Sequence, residues 1–176
     1  PHSSLLKTKL MEMSENIDII VKHEGEVTSI ELIKAIEAKK DLNEIKGIIY
    51  RKDGKIIETV NREFILDLDN VPFPARHLLD MDNESYKSAF RYKRTPMTSV
   101  ITSRGCPYNC LFCNRAVFGA KYRSNSPEYV IKELEYLKKE YGIKEVHFVD
   151  DTFLLDPKRV KAICDMMIEK KLDLTW

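Results

Sequence analysis

Cys106-Pro107-Tyr108-Asn109-Cys110-Leu111-Phe112-Cys113 holds three of the chain's four cysteines, spaced C-x3-C-x2-C. Thiolates this close in sequence can wrap one metal centre. A structural zinc site is closed and wants four protein ligands. No fourth ligand lies nearby, because the next histidine, His147, and the next cysteine, Cys164, are both remote. Three thiolates with one position left open suit a [4Fe-4S] cluster whose fourth iron is kept for a substrate. Zinc and a disulfide pair are the alternatives. A disulfide suits an oxidising compartment, and nothing marks the chain as secreted.

The residues around the loop give it a setting. Met97 to Thr102 reads as a strand with Val100 and Ile101 as its apolar centre, and Ser103-Arg104-Gly105 leaves it for the cysteines. Ser126-Pro127-Glu128 predicts a helix start: an N-cap, a proline at the first helical position and an acid for the dipole. Val130, Leu134, Leu137 and Tyr141 form its apolar stripe, and Gly142 is its stop. Glu145 to Val149 is the next strand, with Asp150-Asp151-Thr152-Phe153 at its C-terminal end. Asp156-Pro157 caps a second helix carrying Val160, Ile163, Met167 and Ile168, and Leu172 to Trp176 opens a third strand. This β-α-β-α-β order is the start of a parallel barrel with right-handed crossovers. In such barrels chemistry sits on the loops after the C-terminal strand ends, where both the cysteines and the Asp150-Asp151 pair fall. Two adjacent acids can accept from a ligand or merely end a strand. Cys164 reads as a small buried hydrophobe in its helix, and His147 as a structural strand residue.

The C-x3-C-x2-C loop, with the aromatic Phe112 before its last cysteine, resembles that of the radical S-adenosylmethionine (SAM) superfamily. The resemblance implies that SAM chelates the open iron through its amino and carboxylate groups. One electron then cleaves the sulfonium to methionine and a 5'-deoxyadenosyl radical, while the protein positions and shields the cofactor. It implies a partial (β/α)6 barrel, with residues 96–176 as its N-terminal part. It places Phe112 near the adenine, with Tyr108 as a further SAM contact. Asp150 or Asp151 would accept from the SAM ammonium or ribose, where many members carry Gly-Gly-Glu. A reductant protein for the cluster and a substrate of unknown identity are further implied partners. The alternative from another class is a non-catalytic zinc- or Fe-S-binding module with a structural or electron-transfer role.

Upstream, Leu5, Leu6, Leu10 and Met13 suit one face of a short helix, and Asn16 to Val21 a buried strand. Thr28-Ser29-Ile30-Glu31 reads as a capping box opening a helix whose apolar stripe is Ile30, Ile33 and Ile36. Ile45 to Tyr50 and Lys55 to Val60 are strand-like runs joined by the turn signal Asp53-Gly54. Helix, strand, helix, hairpin fits the C-terminal half of a doubly wound α/β domain. The pattern resembles the end of the cobalamin-binding domain in the B12-dependent radical SAM class. Pro1-His2 and His23-Glu24-Gly25-Glu26 occupy the places of that class's Gly-Gly-Pro-His-like and Gly-Glu-Gly-Glu-like segments. The resemblance thus implies cobalamin as a cofactor, with His2, Glu24, Gly25 and Glu26 on its side. The class's cobalt-ligating Asp-x-His-x-x-Gly segment has no counterpart in the chain. By themselves His2 and His23 read as surface loop histidines.

The fold class expected is therefore α/β. Residues 1–60 form a partial cobalamin-binding-like domain, residues 61–95 a linker and residues 96–176 the first part of the barrel. The linker holds Val71-Pro72-Phe73-Pro74, whose prolines push their predecessors to extended backbone. From Lys87 to Arg123 there are eight Lys or Arg and no Asp or Glu. That run suits a solvated face, or a surround that offsets an anionic cluster and the SAM carboxylate, with Arg104, Arg115 and Arg123 nearest the cysteines. The net charge of +1 gives no global argument for nucleic acid, and no apolar run approaches a membrane span. Clustered cysteines without a signal peptide place the protein in the cytoplasm by default. A start without Met and a stop at the opening of a strand suggest a piece of a longer protein.

Overall fold

The computed structural model describes residues 2–80 and 91–176. The chain divides into two compact units, Pro1–Leu66 with Gly105–Lys121 and Asp67–Arg104 with Tyr122–Trp176.

The first unit opens with two short helices, α1 (His2–Leu6) and α2 (Thr8–Met13). A left-handed residue, Lys7 (φ 51°), separates them. Strand β1 (Ile19–Val21), helix α3 (Glu26–Glu37) and the hairpin β2 (Ile48–Lys52) and β3 (Lys55–Glu58) follow. The order is the expected one, but the sheet β1-β2-β3 is antiparallel throughout, with Ile20 opposite Ile49 and Tyr50 opposite Ile57. A helix joins β1 to β2, yet the two do not pair as parallel neighbours of a doubly wound sheet. Asp53 and Gly54 both take positive φ (50° and 74°), as a two-residue hairpin turn of this hand requires. Strand alternation gives the sheet two buried faces: Ile20 and Ile49 pack with Met11, while Ile48 and Tyr50 pack with Leu32.

Three local expectations change here. The first helical stretch buries Met11 rather than Leu5 and Met13, which are 51% and 69% exposed, because the break at Lys7 resets the helical phase. Helix α3 begins at Glu26, after Gly25, so Thr28 is an interior residue and no capping box forms. Arg62, 34 residues on, takes both of its partners: Nε donates to Thr28 Oγ1 at 2.8 Å, and Nη2 pairs with Glu31. The expected stripe Ile30, Ile33 and Ile36 faces outward, each more than half exposed, and the buried face is Thr28, Leu32 and Ala35.

The second unit is the β-α-β-α pattern expected after residue 96. Strand β4 (Met97–Val100) runs parallel to β7 (Glu145–Phe148), with Thr98 beside Val146 and Val100 beside Phe148. Helix α4 (Pro127–Tyr141) joins them, capped by the Ser126 side chain accepting from Tyr129 N and ended by left-handed Gly142. Helix α5 (Pro157–Glu169) is capped by Asp156, which accepts from Arg159 N. Thr175 bridges in parallel to Glu145, where the third strand was expected. Val100 and Val146 from the sheet and Val130, Ile131, Leu134, Leu137, Ile163 and Met167 from the helices form one core. Ile168 is not part of it: it is 74% exposed, one residue past the buried Met167. Cys164 is half-buried on α5.

The proline-bearing stretch packs on α4. Tyr129 donates its hydroxyl to Val71 O (2.7 Å), and the Phe73 ring lies 5.0 Å edge-on from that of Tyr129. Burial, together with the nearby Glu133 and Asp69 carboxylates, pushes the Tyr129 hydroxyl up to about 12. Arg76 donates to the Glu133 carboxylate at 2.8 Å, and both side chains are buried.

Candidate active site

The cysteine loop lies within the first unit. Gly105 leads into it at φ +81°, where a Cβ would lie 2.3 Å from the Lys121 carbonyl oxygen, so only glycine fits. Cys106 N donates to Gly119 O (3.3 Å), and Gly119 N donates to Arg115 O (3.0 Å). Gly119 is also tightly seated, since a Cβ there would lie 2.7 Å from the Phe64 ring. Cys113 N donates to Cys110 O (3.1 Å), turning the chain between the last two thiols. None of the four cysteines forms a disulfide among the described residues; Cys110 and Cys113 are exposed and Cys106 half-buried. Leu111 and Phe112 are almost wholly exposed (104% and 93%), and Tyr108 is 55% exposed. Among the described residues no three His, Cys, Asp or Glu side chains are gathered at metal-binding distances. The donor set is nonetheless the right chemistry: three thiol sulfurs, none in a disulfide, on a loop with a glycine-shaped entry.

The segment His23-Glu24-Gly25-Glu26 belongs to the same unit. His23 takes φ +56°, and its Nδ1 lies 2.6 Å from Ala116 O at the end of the cysteine loop. Its ring meets Phe64 edge-on at 5.7 Å, and Ser4 Oγ accepts from its backbone N–H at 2.7 Å. His23 is thus an anchored residue rather than a surface-loop histidine. Glu24 is buried and accepts from Ile65 N (2.8 Å), Gly25 is the N-cap of α3, and His2 is exposed on α1.

In the second unit, β5 (Ser103–Arg104) pairs antiparallel with β6 (Arg123–Ser124), and these two strands are the stem of the loop. Asp150 follows β7. Its Oδ1 accepts from Thr102 N (3.0 Å), Thr102 Oγ1 (2.9 Å) and Ser103 Oγ (2.5 Å). Its Oδ2 is buried with no partner among the described residues. Asp151 is exposed. A cavity of about 580 Å³ at this strand end is lined by His147, Phe148, Val149, Asp150, Phe153 and Trp176. Phe148 and Phe153 stack at 4.5 Å, and Trp176 meets both edge-on. His147 Nε2 lies 2.9 Å from Glu145 Oε1, whose other oxygen accepts from Lys93 N and Arg94 N.

The stem holds residues that local sequence patterns did not single out. Arg159 donates from Nη2 to Thr102 O (2.9 Å) and from Nε to Asn125 O (2.7 Å), and it is 6% exposed. An arginine on the same helical face as Ile163 was the available signal, since a charge on a core stripe needs a buried partner. Of the basic run, Arg115 donates to Asn109 Oδ1 (3.1 Å) within the cysteine loop, and Arg123 is buried in β6. Lys87 lies outside the described residues. No described helix is long and apolar enough to cross a membrane.

Comparison with known proteins converges on one family. Residues 100–175 match the radical SAM superfamily. An uncharacterized methyltransferase of Pyrococcus horikoshii is 38% identical across this whole chain, which covers 37% of that protein. The anaerobic magnesium-protoporphyrin IX monomethyl ester cyclase of Synechocystis is 31% identical over 94% of the chain and 32% of the cyclase. The solved cobalamin-dependent S-adenosylmethionine radical enzyme OxsB, with aqua-cobalamin and S-adenosylmethionine bound, superposes with a TM-score of 0.73 at 25% identity. That match covers 95% of this chain and 23% of OxsB. The chain spans about a third of the length of the curated relatives it matches. Cysteine loop, β-α-β unit and these likenesses agree: residues 100–175 match the radical SAM superfamily, and the chain as a whole is similar to cobalamin-dependent radical SAM enzymes.

Proposed function

We propose that the protein takes part in SAM-dependent radical chemistry of the B12-dependent kind, with methyl transfer as the reaction class that its relatives' names favour. The observation that carries this reading is the loop itself: three cysteines spaced C-x3-C-x2-C, none in a disulfide, behind a glycine that admits no side chain. Cys106, Cys110 and Cys113 would hold a [4Fe-4S] cluster. When bound, such a cluster supplies the electron that cleaves SAM to methionine and a 5'-deoxyadenosyl radical.

The chain's own residues would bind and orient SAM around it. Phe112 and Tyr108 offer exposed aromatic faces for the adenine. Asp151 and the unshared Oδ2 of Asp150 would accept from the SAM ammonium or a ribose hydroxyl. The aromatic wall of Phe148, Phe153 and Trp176 would keep water from that end of the strand. Cobalamin would be met on the side of His2 and of Glu24, Gly25 and Glu26, with Glu24 acting through the backbone of Ile65. A one-electron reductant protein and an organic substrate complete the set of partners, in a cytoplasmic setting.

Anaerobic incubation of the reconstituted chain with dithionite, SAM and added cobalamin tests the reading. The expected product is 5'-deoxyadenosine or a methylated acceptor, in amounts that depend on all three cysteines. A colourless chain that retains one zinc and leaves SAM intact would instead identify a structural metal module.

A further inference from the structure

Asp150 is engaged on two sides in different ways. One oxygen, Oδ1, gathers three donors from two consecutive residues, Thr102 and Ser103, which are 1% and 3% exposed. The remaining polar group of Thr102, its carbonyl, accepts from both Asn125 N and Arg159 Nη2 at 2.9 Å. Asn125 is held in turn, with Nδ2 donating to Asp69 Oδ1 (3.2 Å). Every polar atom of Thr102 is therefore fixed, two of the three by a carboxylate from the end of β7. A strand terminator would not need this arrangement. The stem does need it, because β5 and β6 are two residues each and a pair that short does not hold itself. Ser103 precedes Cys106 by only Arg104 and Gly105.

We propose that Asp150 is a positioning residue for the cysteine loop: through Oδ1 it locks Thr102 and Ser103, the root of the loop, and so governs how firmly Cys106, Cys110 and Cys113 keep their cluster. The inference rests on the cluster-binding reading above. Beyond that reading, it separates the two acids: Asp151 serves only the ligand, whereas Asp150 also serves the loop through Oδ1.

The test compares Asp150→Ala, Asp150→Asn and the double variant Thr102→Val/Ser103→Ala with the parent after anaerobic reconstitution. Two quantities are read: the rate at which a ferrous chelator strips iron, and the EPR line shape of the dithionite-reduced cluster without SAM. Asp150→Ala should release iron about tenfold faster, the loss expected when hydrogen bonds to a charged acceptor vanish, with a broadened EPR signal. Asp150→Asn keeps an oxygen acceptor in place and should restore release to within about threefold of the parent. The double variant keeps the acid but removes two of its donors, and should behave like Asp150→Ala. Should Asp150→Ala fail to fold, as judged by far-UV circular dichroism, the double variant decides. Parent-like iron release and line shape in Asp150→Ala or in the double variant, or Asn as damaging as Ala, would overturn the proposal while leaving the cluster reading intact. A parent that takes up no cluster would overturn both.

Discussion

Replacing Gly105 by alanine would set a Cβ 2.3 Å from the Lys121 carbonyl oxygen and 3.0 Å from that of Phe118. Both are backbone atoms and cannot swing aside as a side chain could. Ordinary contact begins at 3.4 Å, so the loop's return strand must move by about 1 Å. Two costs add. A non-glycine residue at φ +81° loses about 1–2 kcal/mol. Overpacking against fixed backbone adds about 1–3 kcal/mol. The sum, about 2–5 kcal/mol, falls on the loop conformation and corresponds to a weakening of about thirtyfold or more. Gly54→Ala is the internal control: its φ of +74° carries the same conformational cost, but a Cβ there meets nothing within 4 Å. The assay is iron and sulfide retained per chain after reconstitution and gel filtration, with thermal unfolding of the apo chain alongside. Gly105→Ala should lose most of its cluster and unfold at least about 4 °C lower, while Gly54→Ala keeps its cluster and shifts less. Parent-like iron in Gly105→Ala would refute the reasoning that the glycine sets the loop.

Other outcomes follow from the same geometry. His23→Ala removes the contact to Ala116 O, and iron release should rise about fivefold, as for a neutral hydrogen bond; an unchanged rate would make His23 a bystander. Asp151→Ala should weaken SAM binding by calorimetry without altering iron content, since Asp151 is exposed and the stem hydrogen bonds go to Asp150. For acid stability, the hydrogen bond from Lys22, opposed by burial, holds the Glu58 carboxyl below its ordinary range. Its folded pKa is thus the lower one. The stabilisation is complete above the unfolded value and is lost as pH falls through the folded value. A melting-temperature series run from neutral into acid should fall more steeply for the parent than for Glu58→Gln, and parallel curves would remove Glu58 from the account.

Signals that act on their own stretch of backbone are legible in the sequence. Helix α4 was bounded by Ser126-Pro127 and Gly142, each of which acts on its own backbone, and both ends fell where expected. The C-x3-C-x2-C spacing is likewise a short-range pattern, visible without knowledge of the fold. Helix α3 was not, because Ile30, Ile33 and Ile36 are as apolar as any core stripe and nothing local says which face meets the sheet. Leu32 was selected by Ile48 and Tyr50 on a strand a loop away, and Thr28 by Arg62. The pairing of β1 with β2 was hidden in a similar way, since strand residues alone do not state direction. The split between Asp150 and Asp151 was beyond local reading too. The two acids are neighbours in sequence, and they differ only because Thr102 and Ser103 arrive from some 48 residues upstream to meet one of them.

The central claim is that Cys106, Cys110 and Cys113 hold one [4Fe-4S] cluster with an iron left open to SAM. Its most direct test is EPR of the anaerobically reconstituted, dithionite-reduced chain before and after SAM is added, with iron and sulfide counted on the same sample. The account predicts about four irons and four sulfides per chain, a reduced-cluster signal that SAM changes, and loss of that signal in each single cysteine-to-alanine variant but not in Cys164→Ala. A signal indifferent to SAM, or iron content unchanged in Cys110→Ala, would contradict it.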